Sequence, residues 1–126
     1  MKRQAIHADG AAAVGPYSHA VRAGKLVYLS GQTPLDPATG KLLQGGVQEQ
    51  ARQCFHNLFK VLGAAGMGPG QVVKVNVFLT NMEDFAAMNE VYATQFDKPF
   101  PARTTIGVAA LPLGARIEIE MIARED

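Results

Sequence analysis

Apolar residues recur at intervals of three and four between residues 47 and 65, which is the spacing of one face of an α-helix. Gly66 follows at the position where a left-handed residue commonly ends a helix. The pattern therefore predicts a helix over residues 47–65. Its apolar positions are Val47, Ala51, Cys54, Phe55, Leu58, Val61, Leu62 and Ala65.

A second helical pattern begins after Asn81. Asn is a good N-cap, and Glu83 and Asp84 in the first turn favour the positive end of the helix dipole. The apolar stripe of this second predicted helix consists of Phe85, Met88, Tyr92 and Phe96.

Five further segments have the character of strands. Residues 72–79 alternate, with Val73, Val75, Val77 and Leu79 on one face, and residues 115–123 alternate through Ile117, Ile119 and Met121. Residues 18–22 and 25–30 flank Ala23-Gly24, a plausible two-residue hairpin turn, and residues 103–108 form another strand. Residues 31–46, rich in Gly, Pro and Asp, are expected to form a long loop with a turn at 36–40.

The resulting order is β-β-α-β-α-β-β in one domain spanning residues 1–126. Helices that connect strands imply right-handed crossovers, which place both helices on one face of a mixed sheet. The fold class is therefore α/β of the α+β type. Nothing in the chain is left to cover the second sheet face, so we predict association with further copies.

Composition narrows the class of protein. Hydrophobic residues make up 48% of the 126 residues, and no apolar run is long enough for a membrane span. The formal net charge is +1 and the basic residues are scattered, which disfavours a nucleic-acid surface. A single cysteine, Cys54, allows no intrachain disulfide, and the first residues lack the apolar core of a signal peptide. We expect a cytoplasmic protein.

Arg103 is the leading candidate for chemistry, because its planar fork matches a carboxylate through two parallel hydrogen bonds. A structural arginine, solvated or paired with Glu118 or Glu120, is the alternative. Those two glutamates lie two apart on one strand and so share its polar face. They are either solvated surface, or one of them lies in a buried crevice where it can polarise a water.

Four weaker candidates each have an ordinary structural explanation. Tyr17 follows the rigid Gly15-Pro16 pair and either orients a ligand or packs as an ordinary tyrosine. Ser30 and Gly31 end a strand, where glycine permits close approach of a ligand or simply forms a turn. Asn89 beside the apolar stripe is either a pocket residue or an ordinary polar neighbour.

Metal and cofactor chemistry find no support in the sequence. His7, His19 and His56 are expected to lie far apart and lack metal-ligand spacing. The one cysteine, on an apolar helix face, is expected to be an inert buried thiol. No phosphate-binding or nucleotide-binding glycine motif is present. We expect no cofactor and no metal.

Several short motifs occur together in a fixed order, and through them the chain resembles the RidA/YjgF family of reactive intermediate deaminases, also called the L-PSP endoribonuclease family. The resemblance extends from about Ala11 to Ala123. Its motifs are Gly15-Pro16-Tyr17-Ser18, Ser30-Gly31-Gln32, Gln50-Ala51-Arg52-Gln53, Asp84-Phe85 with Asn89, Phe100-Pro101-Ala102-Arg103, and Ile117-Glu118-Ile119-Glu120.

The resemblance implies a chorismate-mutase-like fold and a homotrimer with ligand clefts between subunits. It also implies hydrolysis of enamine and imine intermediates, such as 2-aminoacrylate and 2-iminopropanoate, to 2-oxo acids and ammonia. Arg103 would then hold the substrate carboxylate and Glu118 would position water. By the same resemblance Tyr17, Ser30, Gly31, Asn89 and Thr105 line the cleft. Many members have a cysteine where this chain has Thr105, which leaves substrate preference open.

Two other functions are compatible with the sequence. The same cleft suits a non-catalytic sensor or carrier of small carboxylates such as 2-oxo acids. Endoribonuclease or translation-inhibitor activity, ascribed to some relatives, fits poorly with the near-neutral charge. Chorismate mutase activity rests on fold analogy alone.

Overall fold

A computed structural model describes residues 2–9 and 15–126 of the chain. Residues 10–14, where the family resemblance begins, lie outside the described residues. The strands are β1 (Gln4–Ile6), β2 (Ala20–Ala23), β3 (Leu26–Gln32), β4 (Leu35–Asp36), β5 (Lys41–Leu42), β6 (Val72–Leu79), β7 (Ala102–Gly107) and β8 (Ile117–Arg124). The helices are α1 (Val47–Ala64) and α2 (Phe85–Ala93).

Six strands form one mixed sheet in the order β1-β2-β3-β8-β6-β7. The last strand, β8, lies between β3 and β6 and is antiparallel to both. Strands β6 and β7 are parallel, as expected for two strands joined by a helical crossover. The predicted mixed sheet with two associated helices is confirmed.

The core lies between the helices and one face of the sheet. From α1, Phe55, Leu58 and Leu62 are fully buried against a sheet face that includes Val75 and Ile119. Burying a side chain of this size contributes about 1.5–3 kcal/mol relative to leaving it exposed. The packed face fixes the register of the sheet, because a slip of one residue would turn every apolar side chain towards solvent.

The first and second predicted strands are joined by a two-residue hairpin as expected, but its turn is Gly24-Lys25 rather than Ala23-Gly24, since Ala23 pairs with Leu26. Three strands were missed. Strand β1 is short and pairs with β2, and its three residues carry no clear alternation. Strands β4 and β5 form a small ribbon inside the segment predicted as a long loop. Strands of two residues are too short to show alternation, so the loop was predicted from the Gly, Pro and Asp content of the segment alone.

Two further expectations were wrong in detail. Val73 is exposed rather than buried, because the register between β6 and β8 shifts between Val72 and Lys74 and turns Val72 to the core instead. Asn81 caps a single 3₁₀ turn, accepting the backbone N–H of Glu83 at 3.0 Å, and α2 begins only at Phe85. Phe96, beyond the end of α2, is still buried in the core.

The second face of the sheet carries both apolar and polar side chains. In the described part of the chain, no helix or further sheet covers this face. Tyr28 and Ile106 on this face are 46% and 45% exposed. Phe78, Glu118 and Glu120 lie on the same face, since they alternate with buried neighbours on β6 and β8. The predicted association of copies remains a prediction. Among the described residues no helix has both the length and the apolar character needed to cross a bilayer.

Candidate active site

Arg103 lies on β7, the edge strand of the sheet, and faces α2. It is paired with Val75 of β6, whose side chain is buried under the helices, so the two side chains share the helix-covered face. The Arg103 Nη1 donates a hydrogen bond of 2.6 Å to Oδ1 of Asn89 on α2. A candidate predicted from the strand and a candidate predicted from the helix thus meet directly.

Two aromatic rings of α2 complete the support of the guanidinium. Its central carbon lies 4.5 Å from the ring centre of Tyr92 and 5.6 Å from that of Phe85. Phe85, Asn89 and Tyr92 are spaced i, i+4 and i+7, so one helix face presents all three. The sequence identified both rings only as core residues, although their helical spacing to Asn89 was the signal that connected them to the site. Cation–π contacts of this kind are worth about 0.5–2 kcal/mol each.

The guanidinium has no carboxylate partner among the described residues, where the ion pairs are Arg22 with Glu125 and Arg116 with Asp84. The alternative of Arg103 paired with Glu118 or Glu120 within one chain is therefore wrong. Arg103 opens onto a pocket of about 370 Å³, called here the Arg103 pocket, lined by Asn89, Tyr92, Ala93, Phe100, Pro101 and Arg103.

Thr105 lies on the same face of β7, two residues after Arg103, but does not line the Arg103 pocket. Its hydroxyl oxygen is buried and has no hydrogen-bond partner among the described residues. A buried hydroxyl without a partner is costly, typically by about 1–3 kcal/mol, so this position tolerates rather than requires a polar group.

Glu118 lies on the opposite face of the sheet. It is paired with Phe78 of β6, while its neighbours Ile117 and Ile119 are buried under the helices. A second pocket of about 350 Å³, called here the Glu118 pocket, opens there. It brings together four predicted site residues with four that the sequence did not indicate, and its lining is Tyr17, Ser30, Gly31, Thr33, Leu35, Pro112, Leu113 and Glu118.

A β-bulge builds the floor of the Glu118 pocket. Leu29 pairs with Met121 and Gln32 with Ile119, so β3 advances three residues where β8 advances two. The extra residue falls at Ser30-Gly31, and bulges of this kind re-aim side chains near functional sites. No alternation rule reveals such an insertion in advance.

Each bulge residue has a distinct structural role. The Ser30 hydroxyl donates to the carbonyl of Ser18 at 2.6 Å, and the Ser30 N–H donates to the carbonyl of His19 at 2.9 Å. These bonds attach the segment that follows Tyr17 to the bulge. A Cβ at Gly31 would lie 2.9 Å from Oε2 of Glu118, so glycine is what allows the carboxylate to lie against the strand.

Partial burial raises the pKa of Glu118, and the like charge of Glu120 raises it further. A carboxyl with a raised pKa exchanges a proton more readily near neutral pH. On the other side of the sheet, Cys54 is fully buried and its thiol donates to the carbonyl of Gln32 at 3.2 Å. Burial, and secondarily the charge of Glu118, raises the pKa of Cys54 well above its usual value, which keeps it a thiol.

One expectation about histidines was wrong. His7 and His19 are not far apart, since their ring centres lie 5.1 Å from each other in an edge-on contact. Across residues 2–9 and 15–126, no three His, Cys, Asp or Glu side chains form a group suited to hold a metal ion.

Comparison with known proteins identifies the family. A model of the family described as Endoribonuclease L-PSP matches residues 7–125. Protein DfrA of Myxococcus xanthus is 51% identical over 98% of this chain and 96% of its own. The 2-iminobutanoate/2-iminopropanoate deaminase of Mus musculus is 51% identical over 89% of this chain and 83% of its own. The crystal structure of RidA from an Antarctic Psychrobacter superposes with a TM-score of 0.92 and 48% identity over 97% of this chain and 99% of that chain. The chain belongs to the Endoribonuclease L-PSP family, which is the RidA/YjgF family.

Proposed function

We propose that this protein hydrolyses 2-imino acids and their enamine tautomers to 2-oxo acids and ammonia. The observation that carries the proposal is the pairing of two unlike groups: a cation held ready in one pocket and a carboxyl of raised pKa in the other. The name of the Mus musculus relative gives the substrate class.

Arg103 binds the carboxylate of the substrate in this proposal. Asn89 and Tyr92 hold the guanidinium in place before any ligand arrives, so little ordering is required on binding. A carboxylate of the substrate supplies the ion-pair partner that Arg103 lacks among the described residues, through the two parallel hydrogen bonds that arginine favours.

Glu118 acts on water. It accepts a proton from a water that attacks the imine carbon, and a C–O bond forms while the C=N π bond opens. The substrate reacts as the protonated iminium, so the C=N π electrons end on nitrogen and a neutral carbinolamine forms. Glu118 returns the proton to the nitrogen of the carbinolamine. The C–N bond then breaks with its electron pair leaving on ammonia, while the hydroxyl proton passes to Glu118 and the C=O bond of the 2-oxo acid forms. An iminium carbon is electrophilic without further activation, so positioned acid–base assistance of about 10²- to 10⁴-fold is an appropriate contribution for one carboxyl.

The two pockets lie on opposite faces of one sheet, so we propose that the complete site forms between copies in a homotrimer. The Arg103 pocket of one copy, at the β7 edge of the sheet, faces the Glu118 pocket of its neighbour, which opens on the uncovered sheet face. In this arrangement Tyr17 and the backbone of Ser30 and Gly31 border the substrate on the Glu118 side. Asn89 positions Arg103. Thr105 lies behind Arg103 on the same face of β7, where it does not touch the substrate directly.

The direct test measures ammonia release from 2-imino acids that an amino-acid oxidase generates in situ. We expect the wild-type protein to accelerate release, and a rate equal to that of spontaneous hydrolysis would overturn the proposal. If 2-oxo acids still bind in calorimetry under those conditions, the chain is a carboxylate sensor or carrier instead. Steeply salt-dependent RNA binding would support the endoribonuclease alternative, which the net charge of +1 does not favour.

The shared site has a separate test by complementation. Arg103→Ala and Glu118→Gln proteins are each expected to keep at most about one hundredth of the wild-type activity. Subunits are then exchanged by mixing the two proteins at equal concentration under mild dissociating conditions. In randomly mixed trimers about one quarter of the clefts combine an intact Arg103 with an intact Glu118, so about a quarter of the wild-type rate should return. No recovery, with exchange verified by mass spectrometry, would place both residues in one copy's site.

A further inference from the structure

Leu113 is the one described residue other than glycine with a positive φ, at 62°. It lies in the short 3₁₀ turn Pro112–Gly114 that precedes β8. Leucine in this left-handed region is strained, since its Cβ crowds the backbone, and such strain is concentrated at binding sites. Asn or Gly would fit the turn with less strain, so the apolar side chain itself needs a reason.

The side chain of Leu113 lies at the wall of the Glu118 pocket and remains 64% exposed. A large apolar side chain gains little by such exposure in the isolated chain. Leu35 and Pro112 line the same pocket, so three apolar residues share its lining with the carboxyl of Glu118. A ligand in the pocket would cover Leu113.

The charges in the Glu118 pocket also favour an apolar ligand group. Glu118 is its only charged residue, and no lysine, arginine or histidine lines it among the described residues. A substrate with an acidic side chain would therefore meet a like charge, and the cation of the proposed cleft, Arg103 of the neighbouring copy, is already bound to the substrate's own carboxylate. An aliphatic or thioether side chain would instead remove its own surface and that of Leu113 from water.

We propose that Leu113 is a specificity-determining residue that makes the pocket prefer 2-imino acids with apolar side chains longer than a methyl group. The proposal rests on the proposed deaminase function and adds the substrate class. The left-handed turn holds the leucine at the wall, and its contact grows with the length of the substrate side chain. The methyl side chain of 2-iminopropanoate is too short to make the full contact with Leu113.

The test compares kcat/KM for imino acids made in situ from leucine, methionine, alanine and glutamate by suitable oxidases. Wild type is compared with Leu113→Asn, which suits the left-handed backbone but is polar, and with Leu113→Gly, which removes the side chain. Leu113→Met is the matched control that keeps an apolar side chain. We expect Asn and Gly to lower kcat/KM about tenfold for the leucine and methionine substrates, in the range known for small apolar contacts. The alanine substrate should change less than about twofold, and the Met variant should behave as wild type.

Equal losses for all four substrates would show a general effect on the site, and unchanged ratios would show that Leu113 does not select; either result overturns the proposal. A wild-type protein that hydrolyses none of the four defeats the deaminase function instead. Calorimetry then decides the selectivity separately, because 4-methyl-2-oxopentanoate should still bind about tenfold more weakly to the Asn variant while pyruvate binding is unchanged.

Discussion

The Arg103 pocket and the Glu118 pocket are built by different means. Arg103 is held by side chains, through the amide of Asn89 and the ring of Tyr92 on a regular helix. Glu118 is placed by the backbone of β3. The strand has a bulge at Ser30-Gly31, and the carboxylate of Glu118 lies against Gly31 in a space that a methyl group would fill. The Arg103 pocket, which recognises charge, therefore depends on the regular periodicity of a helix. The Glu118 pocket, where water is activated, depends on a departure from the regular periodicity of a strand.

That contrast predicts which substitutions act through charge and which act through shape. Effects at the Arg103 pocket should fall on binding and on catalysis together. Effects at Glu118 itself should fall mainly on turnover, because the carboxyl touches the reacting water rather than the substrate carboxylate.

The largest effect is expected at Arg103. Arg103→Ala removes two charge-assisted hydrogen bonds, each worth about 1.5–3 kcal/mol, so kcat/KM should fall by about 10³. Arg103→Lys keeps the charge without the fork and should fall by about 10². Steady-state kinetics with imino acids made in situ measures both, with circular dichroism as the control for folding. A lysine variant as active as wild type would mean that charge alone suffices.

Glu118→Gln is expected to lower kcat by about 10²-fold, because the amide cannot exchange the proton of the attacking water. Binding of a 2-oxo acid, measured by calorimetry, should change less than about threefold. The matched control is Glu120→Gln on the same strand face, which should retain most activity. Comparable losses in binding and turnover would assign Glu118 to substrate binding instead.

Gly31→Ala tests the shape of the Glu118 pocket without altering any charge. The new methyl group would lie 2.9 Å from Oε2 of Glu118 and must displace that flexible carboxylate, so we expect about a tenfold loss in kcat with the fold retained. Gly63→Ala in α1 is the control, since its methyl group meets no atom within 4 Å. If both variants match wild type, the position of the carboxylate is not critical.

The smallest effect concerns stability. The raised pKa of Glu118 means that its ionisation opposes folding, a penalty absent below its unfolded pKa and complete above its folded pKa. Glu118→Gln should therefore unfold at higher denaturant than wild type at pH 7 and lose that advantage as the pH falls below about 4. Because the group is partly exposed, we expect a gain of less than about 1 kcal/mol.

Chemical denaturation at pH 7 and pH 4 measures this difference. Glu120→Gln removes only the smaller cause of the shift, so it should give a smaller pH-dependent gain. A variant that is less stable than wild type at pH 7 would show that Glu118 is favourably bonded in the folded protein.

Much of the fold was predictable because its signals are local. The periodicity of residues 47–65 and 115–123 identified α1 and β8, and the order of elements implied a mixed sheet with the helices on one face. Strand β1 and the ribbon of β4 and β5 were missed, since segments of two or three residues carry too few positions for a period.

The candidate site was predicted as a set of residues but not as an arrangement. Sequence motifs selected Tyr17, Ser30, Gly31 and Glu118, which the structure gathers in one pocket. Tyr92 and Leu113 were missed for different reasons. Tyr92 has the spacing of a core residue, and the left-handed backbone of Leu113 has no signature in leucine itself.

The sequence by itself determined the elements, the apolar faces of α1 and β8, and the chemistry-bearing residue types. Only the tertiary structure decided that Arg103 and Glu118 lie on opposite faces of one sheet. Alternation along a strand fixes which residues share a face, but the pairing with distant strands decides which face is buried under the helices. A register shift such as that at Ser30-Gly31 arises from that pairing, so it becomes visible only when β3 and β8 are brought together.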